Sequence, residues 1–178
     1  MKKSKVGLVF THEFQKYNFG PNHPLRPLRL ELTYSLMEKL GLFSNEHLEF
    51  LSPRFATKEE IQSVHDINYV NAVEKLGKNP EDTSVNPSIY GLGPGDNPVF
   101  EGMYEASSLV CGASIVAAET VWKNDEFNFV FNPAGGLHHA LKKRASGFCI
   151  FNDIAVAIRY LQRLKKDIKI AYLDIDCH

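Results

Sequence analysis

The stretch that most limits what this chain can fold into is a mainly apolar run, Ile168 to Leu173, leading into Asp174-Ile175-Asp176-Cys177-His178. A short apolar run of this kind predicts a buried strand. Successive side chains on a strand point to opposite faces, so a spacing of two puts Asp174, Asp176 and His178 on one side. Two carboxylates and an imidazole at the carboxyl end of a strand suit a divalent metal such as zinc. His178 is the last of the 178 residues, so the expectation is of part of a site.

That length suits one domain, residues 1–178, with a sizeable core. Apolar residues at 44% and charged residues at 23% exclude a disordered chain. A net charge of −1 provides no basic field for nucleic acid. The apolar run Val6 to Phe10 is too short for a signal-peptide core, and no later stretch approaches a membrane span. Cys111, Cys149 and Cys177 are scattered and odd in number, which predicts reduced thiols and a cytoplasmic protein. Cys149 and Cys177 read as buried small hydrophobes.

Val6 to Phe10 predicts a first strand, followed by a loop rich in Pro, Gly and aromatic residues up to Arg26. Pro27 suits a helix start. Leu28, Leu32, Leu36 and Leu40 then recur at helical spacing, with Gly41 as terminator. Thr57-Lys58-Glu59-Glu60 is a capping-box pattern, and Asp66 is placed to cap a helix with Tyr69, Val70, Val73 and Leu76 inward and Gly77 at its end. Asn79 to Pro98, with four prolines and three glycines, predicts a long irregular loop. Glu101 to Trp122 predicts a long helix whose small residues allow close packing on a sheet. Phe127 to Phe131 predicts a second buried strand, Asp153 to Leu164 a helix capped by Asp153, and Ile168 to Asp174 a third strand. Ile154, Ile158, Leu161 and Leu164 form the stripe of that last helix. Strands separated by helices indicate an α/β fold with a mainly parallel sheet, whose ligands sit beyond the carboxyl ends of the strands. Three loops leave such ends, and each carries histidine.

One of them holds Asn132-Pro133-Ala134-Gly135-Gly136-Leu137-His138-His139. Paired glycines let backbone approach a ligand, and paired imidazoles beside a metal suit acid–base work. His23, in Asn22-His23-Pro24, reads as a turn residue. Arg29 lies at a helix start, where a cation gains nothing from the dipole, so a specific partner is expected. Asp96 reads as a turn residue, and Phe148, Phe151 and Tyr160 as core.

With these residues in view, the chain resembles the histone deacetylase superfamily, most closely its microbial acetoin-utilisation and acetylpolyamine deacetylase-like members. Four segments carry the resemblance: Asn22 to Arg29, Gly95 to Phe100, Asn132 to Ala140 with Ser146 to Asn152, and Tyr172 to His178. The resemblance implies a three-layer α/β/α arginase/deacetylase-type sandwich and a hydrolase that removes acetyl groups from acetylated lysine, polyamines or other small acylated amines. It implies Asp176 and His178 as ligands of Zn2+ or Fe2+, and His139 as general base. His138 would assist, oriented by Asp174, which would also help hold a structural K+ or Na+. Pro24, Gly147 and Phe148 would line the substrate tunnel, Asp96 its rim, and Arg29 an acetate-release cavity. An arginase-type ureohydrolase shares the fold, but expects two metals; Gly135-Gly136-Leu137-His138-His139 argues against it.

The family pattern also requires a third metal ligand, an aspartate orienting the second histidine and an oxyanion-stabilising tyrosine, all beyond His178 in that pattern. Losing an oxyanion donor alone costs ~10²–10³ in rate. The expectation is therefore the N-terminal part of a catalytic domain, ending after a central strand and inactive by itself. The missing C-terminal half would lie on a longer or second chain. The alternative is a non-catalytic remnant or acyl-amine-binding module. Neither nucleic acid nor membrane is an expected partner.

Overall fold

A five-residue strand, β1 (Lys5–Val9), lies at the centre of the sheet in the computed structural model, which describes residues 5–178. Both its edges are paired in parallel, to β2 (Leu48–Leu51) on one side and β3 (Phe127–Phe131) on the other, giving the order β2-β1-β3. Leu8 faces Phe50 and Phe131, with an irregularity between Lys5 and Val6 on the β3 side. Gly7 has flanking side chains where its own would be: a Cβ there would lie 2.7 Å from Leu51 Cδ1 and 2.9 Å from Val130 Cγ2.

Parallel neighbours require crossovers, and helices supply them. α1 (Leu28–Lys39) lies between β1 and β2 in the chain, and its Tyr34 stacks on Phe10 at 4.4 Å between ring centroids. Between β2 and β3 come α2 (Lys58–Gln62), α3 (Ile67–Lys78) and α4 (Met103–Lys123). The expected capping box closes on α2: Thr57 and Glu60 each satisfy the other's backbone N–H. Asp66 caps α3, whose Tyr69, Val70, Val73 and Leu76 are buried as the pattern predicts. Gly77 falls inside the last turn rather than after it, with Tyr104 N 3.1 Å from where its Cβ would be. The small residues of α4 let chain pass directly over it, and a Cβ on Gly112 would overlap the Arg54 carbonyl oxygen. α4 packs along α5 (Asp153–Leu164) and against β1 and β3, so the parallel α/β architecture is present.

Several expectations need correction. Ile168 to Asp174 is not a strand: no ladder hydrogen bond joins it to the sheet among the described residues. Leu173 and Ile175 are 83% and 90% exposed. The carboxylates of Asp174 and Asp176 bond the amides of Asp176 and His178 instead, a local alternative to extended pairing. The chain therefore does not close on a central strand. Phe127–Phe131 is a strand but only partly buried, Phe129 being 67% exposed. The leucine stripe of α1 faces solvent, and Leu30 is the residue that helix buries. β2 has no counterpart in the sequence reading, because Leu48-Glu49-Phe50-Leu51 is short and broken by a charge. α5 is capped by Asn152, and Asp153 turns elsewhere.

Candidate active site

The loop after β3 and the segment after α5 meet at one open cavity of about 340 Å³. Its lining includes His138, His139, Tyr172, Asp174, Asp176 and His178. The structure thus brings together all five residues expected at the chemical centre, although the terminal segment is not extended. His138 Nδ1 lies 2.5 Å from Asp174 Oδ2, and its ring is 4.1 Å from that of His139. Asp174 also accepts from the Tyr172 hydroxyl at 2.5 Å and the Asp176 amide at 3.0 Å. These donors, the Tyr172 hydroxyl first, hold the Asp174 carboxyl far below the ordinary range, and the Tyr172 hydroxyl is pushed up to about 12. An ionised Asp174 fixes the His138 proton on Nδ1 and leaves Nε2 free for proton exchange.

Asp176 accepts from the amide of His178 at 2.8 Å and lies 2.9 Å from its Nδ1. Among the described residues, Asp176, Cys177 and His178 form the one group whose donor atoms lie close enough to share an ion, all within 4.8 Å of one another. Carboxylate, thiolate and imidazole are a zinc-type donor set. Cys177 is exposed, which corrects its reading as a buried hydrophobe; Cys149 is buried as expected, its thiol pushed up to about 11 by burial.

The expected tunnel residues are held from behind. A Cβ on Gly147 would strike the His139 ring at 2.6 Å, and Gly147 has φ +50°. Phe148 has φ +68°, in the left-handed region that favours glycine. Two buried tyrosines fix that backbone. Tyr17 Oη donates to the Phe148 carbonyl and accepts from the Ile150 amide, each at 2.9 Å, while Tyr69 Oη donates to the Ile150 carbonyl. Neither tyrosine shows this role in the sequence, since hydroxyls reaching across 81 to 133 positions leave no local pattern.

His23 is buried and bridges two loops. Its Nδ1 accepts from the Leu25 amide at 3.0 Å, so its Nε2–H donates to the Asp96 carbonyl at 3.1 Å. Its ring stands edge-on to Phe148 at 4.6 Å. Pro24 lines a separate cavity of about 350 Å³ with His23 and Gly95, and Asp96 is exposed beside it. Arg29 borders a small void with Tyr17, Ala134 and Leu137, which neither His138 nor His139 lines. No carboxylate pairs with Arg29 among the described residues, and partial burial alone lowers its pKa.

Comparison with known proteins follows the same residues. The histone deacetylase domain matches positions 23–178. The chain belongs to the histone deacetylase family. This family member is 39% identical over 170 residues to the acetoin utilization protein AcuC of Bacillus subtilis, covering 96% of this chain and 43% of that protein. It is 36% identical over 179 residues to histone deacetylase clr6 of Schizosaccharomyces pombe, covering 99% and 42% respectively. The crystal structure of an HDAC homolog from Aquifex aeolicus superposes with a TM-score of 0.79 at 36% identity, over 91% of this chain and 42% of that one. An HDAC homolog complexed with SAHA matches equally. The deacetylase fold is therefore shared, and this chain spans less than half the length of these relatives.

Proposed function

We propose that residues 1–178 are the N-terminal part of one metal-dependent deacetylase domain, acting on acetylated lysine, polyamines or other small acylated amines. The observation that carries this reading is the His138–Asp174 hydrogen bond, with His139, Asp176 and His178 on the same cavity. Asp176 and His178 hold Zn2+ or Fe2+, and Asp174 adds an oxygen for a structural K+ or Na+. Bound there, the divalent metal supplies Lewis acidity to an amide carbonyl and to water. His139 removes a proton from the attacking water. His138, oriented by Asp174, delivers one to the leaving amine through Nε2. Pro24, Gly147 and Phe148 line the tunnel that grips the methylene stem, with Asp96 at the rim and Arg29 toward an acetate-release cavity. The three free thiols support a cytoplasmic site of action.

By itself the chain is inactive, because the family pattern assigns only Asp176 and His178, not the neighbouring Cys177, to the metal, and catalytic zinc sites use three protein ligands. The test mixes the purified chain, zinc and an acetyl-lysine peptide, with and without the C-terminal portion of a full-length relative. Acetate release only in the mixture, abolished by Asp176→Ala, is expected. Chelator-sensitive release by the chain alone would sink the inactivity, and none in the mixture would sink the deacetylase reading. In that last case, retained binding of the peptide would favour an acyl-amine-binding module.

A further inference from the structure

The loop bearing the histidine pair is bonded to the N-cap and the first residue of α5. Asn152 Nδ2 donates to the carbonyls of His138 at 3.1 Å and Ala140 at 3.4 Å, while its Oδ1 caps the helix at the Ala155 amide. Asp153 is buried, 1% exposed, and its carboxylate turns back under the loop. Oδ1 accepts from the Leu137 amide at 2.7 Å; Oδ2 accepts from the Gly136 amide at 3.2 Å and from Ser114 Oγ at 2.5 Å. Ser114 Oγ in turn accepts from Asn132 Nδ2 at 2.9 Å. The packing leaves no slack, since a Cβ on Gly135 would lie 2.7 Å from Asp153 Oδ2 and 2.9 Å from Asn132 Nδ2.

No cation pairs with this carboxylate among the described residues, although burying an unpaired charge is costly. Helix capping does not require it, because Asn152 is the cap. What a carboxylate offers here is two acceptor oxygens for two consecutive amides and a hydroxyl, with the α5 N-terminus favouring its charge. Those amides immediately precede His138.

We propose that Asp153 is a positioning residue for the histidine pair, its carboxylate fixing the Gly136–Leu137 backbone so that His138 meets Asp174 beside His139. The inference rests on the reading of His138 and His139 as the proton-transfer pair. It requires that loss of the second acceptor oxygen move these two imidazoles selectively.

The test compares the chain with Asp153→Asn, Ser114→Ala and, as a control for general loosening, Val156→Ala in the same helix. All are labelled for NMR and held at one fixed pH. In Asp153→Asn, ring and amide signals of His138 and His139 are expected to shift more than those of the other five histidines. The Gly136 and Leu137 amides should exchange about tenfold faster or more. Val156→Ala should lower the melting temperature without that selectivity. If the two histidines stay in place, or all seven move alike, the assignment is overturned. Should Asp153→Asn fail to fold, Ser114→Ala, which removes one donor only, decides by the same criterion. These readouts need no turnover, so a missing deacetylase activity would count against the proposed function and leave the role of Asp153 standing.

Discussion

Gly147 has no room for a methyl group. A Cβ would lie within 2.9 Å of three His139 side-chain atoms, two of them in the ring, at a φ of +50°. Gly147→Ala should cost about 1–2 kcal/mol for the left-handed backbone alone, and it should displace the His139 imidazole. Denaturant melts and the His139 ring signals together check this. His65 makes a different kind of demand. Its Nε2 accepts from the Asn152 amide at 3.0 Å, so its Nδ1–H donates to the Leu141 carbonyl at 3.0 Å; the ring must stay neutral. Burial lowers its pKa from 6.5 to about 4. The unfolded chain therefore holds the extra proton between those values. Stability from this group is complete above pH ~6.5 and falls as the pH drops toward 4, by up to about 3 kcal/mol. Urea midpoints at pH 7 and 4.5 should show His65→Gln less stable at pH 7 and less sensitive to the change. At this scale the sequence exposed Asp176, His178 and the His138-His139 pair as candidates, because they sit in local patterns. Tyr17, His65 and Asp153 act through bonds to distant backbone, which no local pattern records.

The elements that were legible carry their own punctuation. Thr57 with Glu60, and Asp66 before Ile67, are short-range signals, and both helices start where they predict. The same holds for the limits of β3. Apolar periodicity alone misled twice: the α1 leucines are exposed, and 168–174 has strand composition without strand pairing. Pattern reports a preference for burial, whereas a ladder requires a neighbour with open donors and acceptors in register. Hydrogen exchange should accordingly show the amides of 168–175 close to unprotected. Those of α3 and of β1, which is paired on both edges, should be the slowest in the chain. Protection of 170–174 comparable to that of β1 would contradict the irregular segment.

For the whole molecule, the family resemblance read from four segments matches the domain assignment over 23–178, and the parallel α/β architecture matches the relatives. Not legible was how much apolar surface stays open. An apolar groove of about 380 Å³ runs between α4 and α5 past Val130 and Ile170, and Phe129 and Leu173 are exposed as well. Open apolar area of this kind promotes association. Sedimentation should show concentration-dependent self-association of the isolated chain, reduced by Leu173→Glu; a monomer at all concentrations would refute this. The central position of β1 also sets a timetable. Its partner β3 follows about 120 residues later, so at ~5–20 residues per second the nascent strand waits about 6–25 s for its second neighbour. Until then β1 has only β2 to pair with, and its second edge stays open on the ribosome, so the sheet cannot be completed before most of the chain has been made.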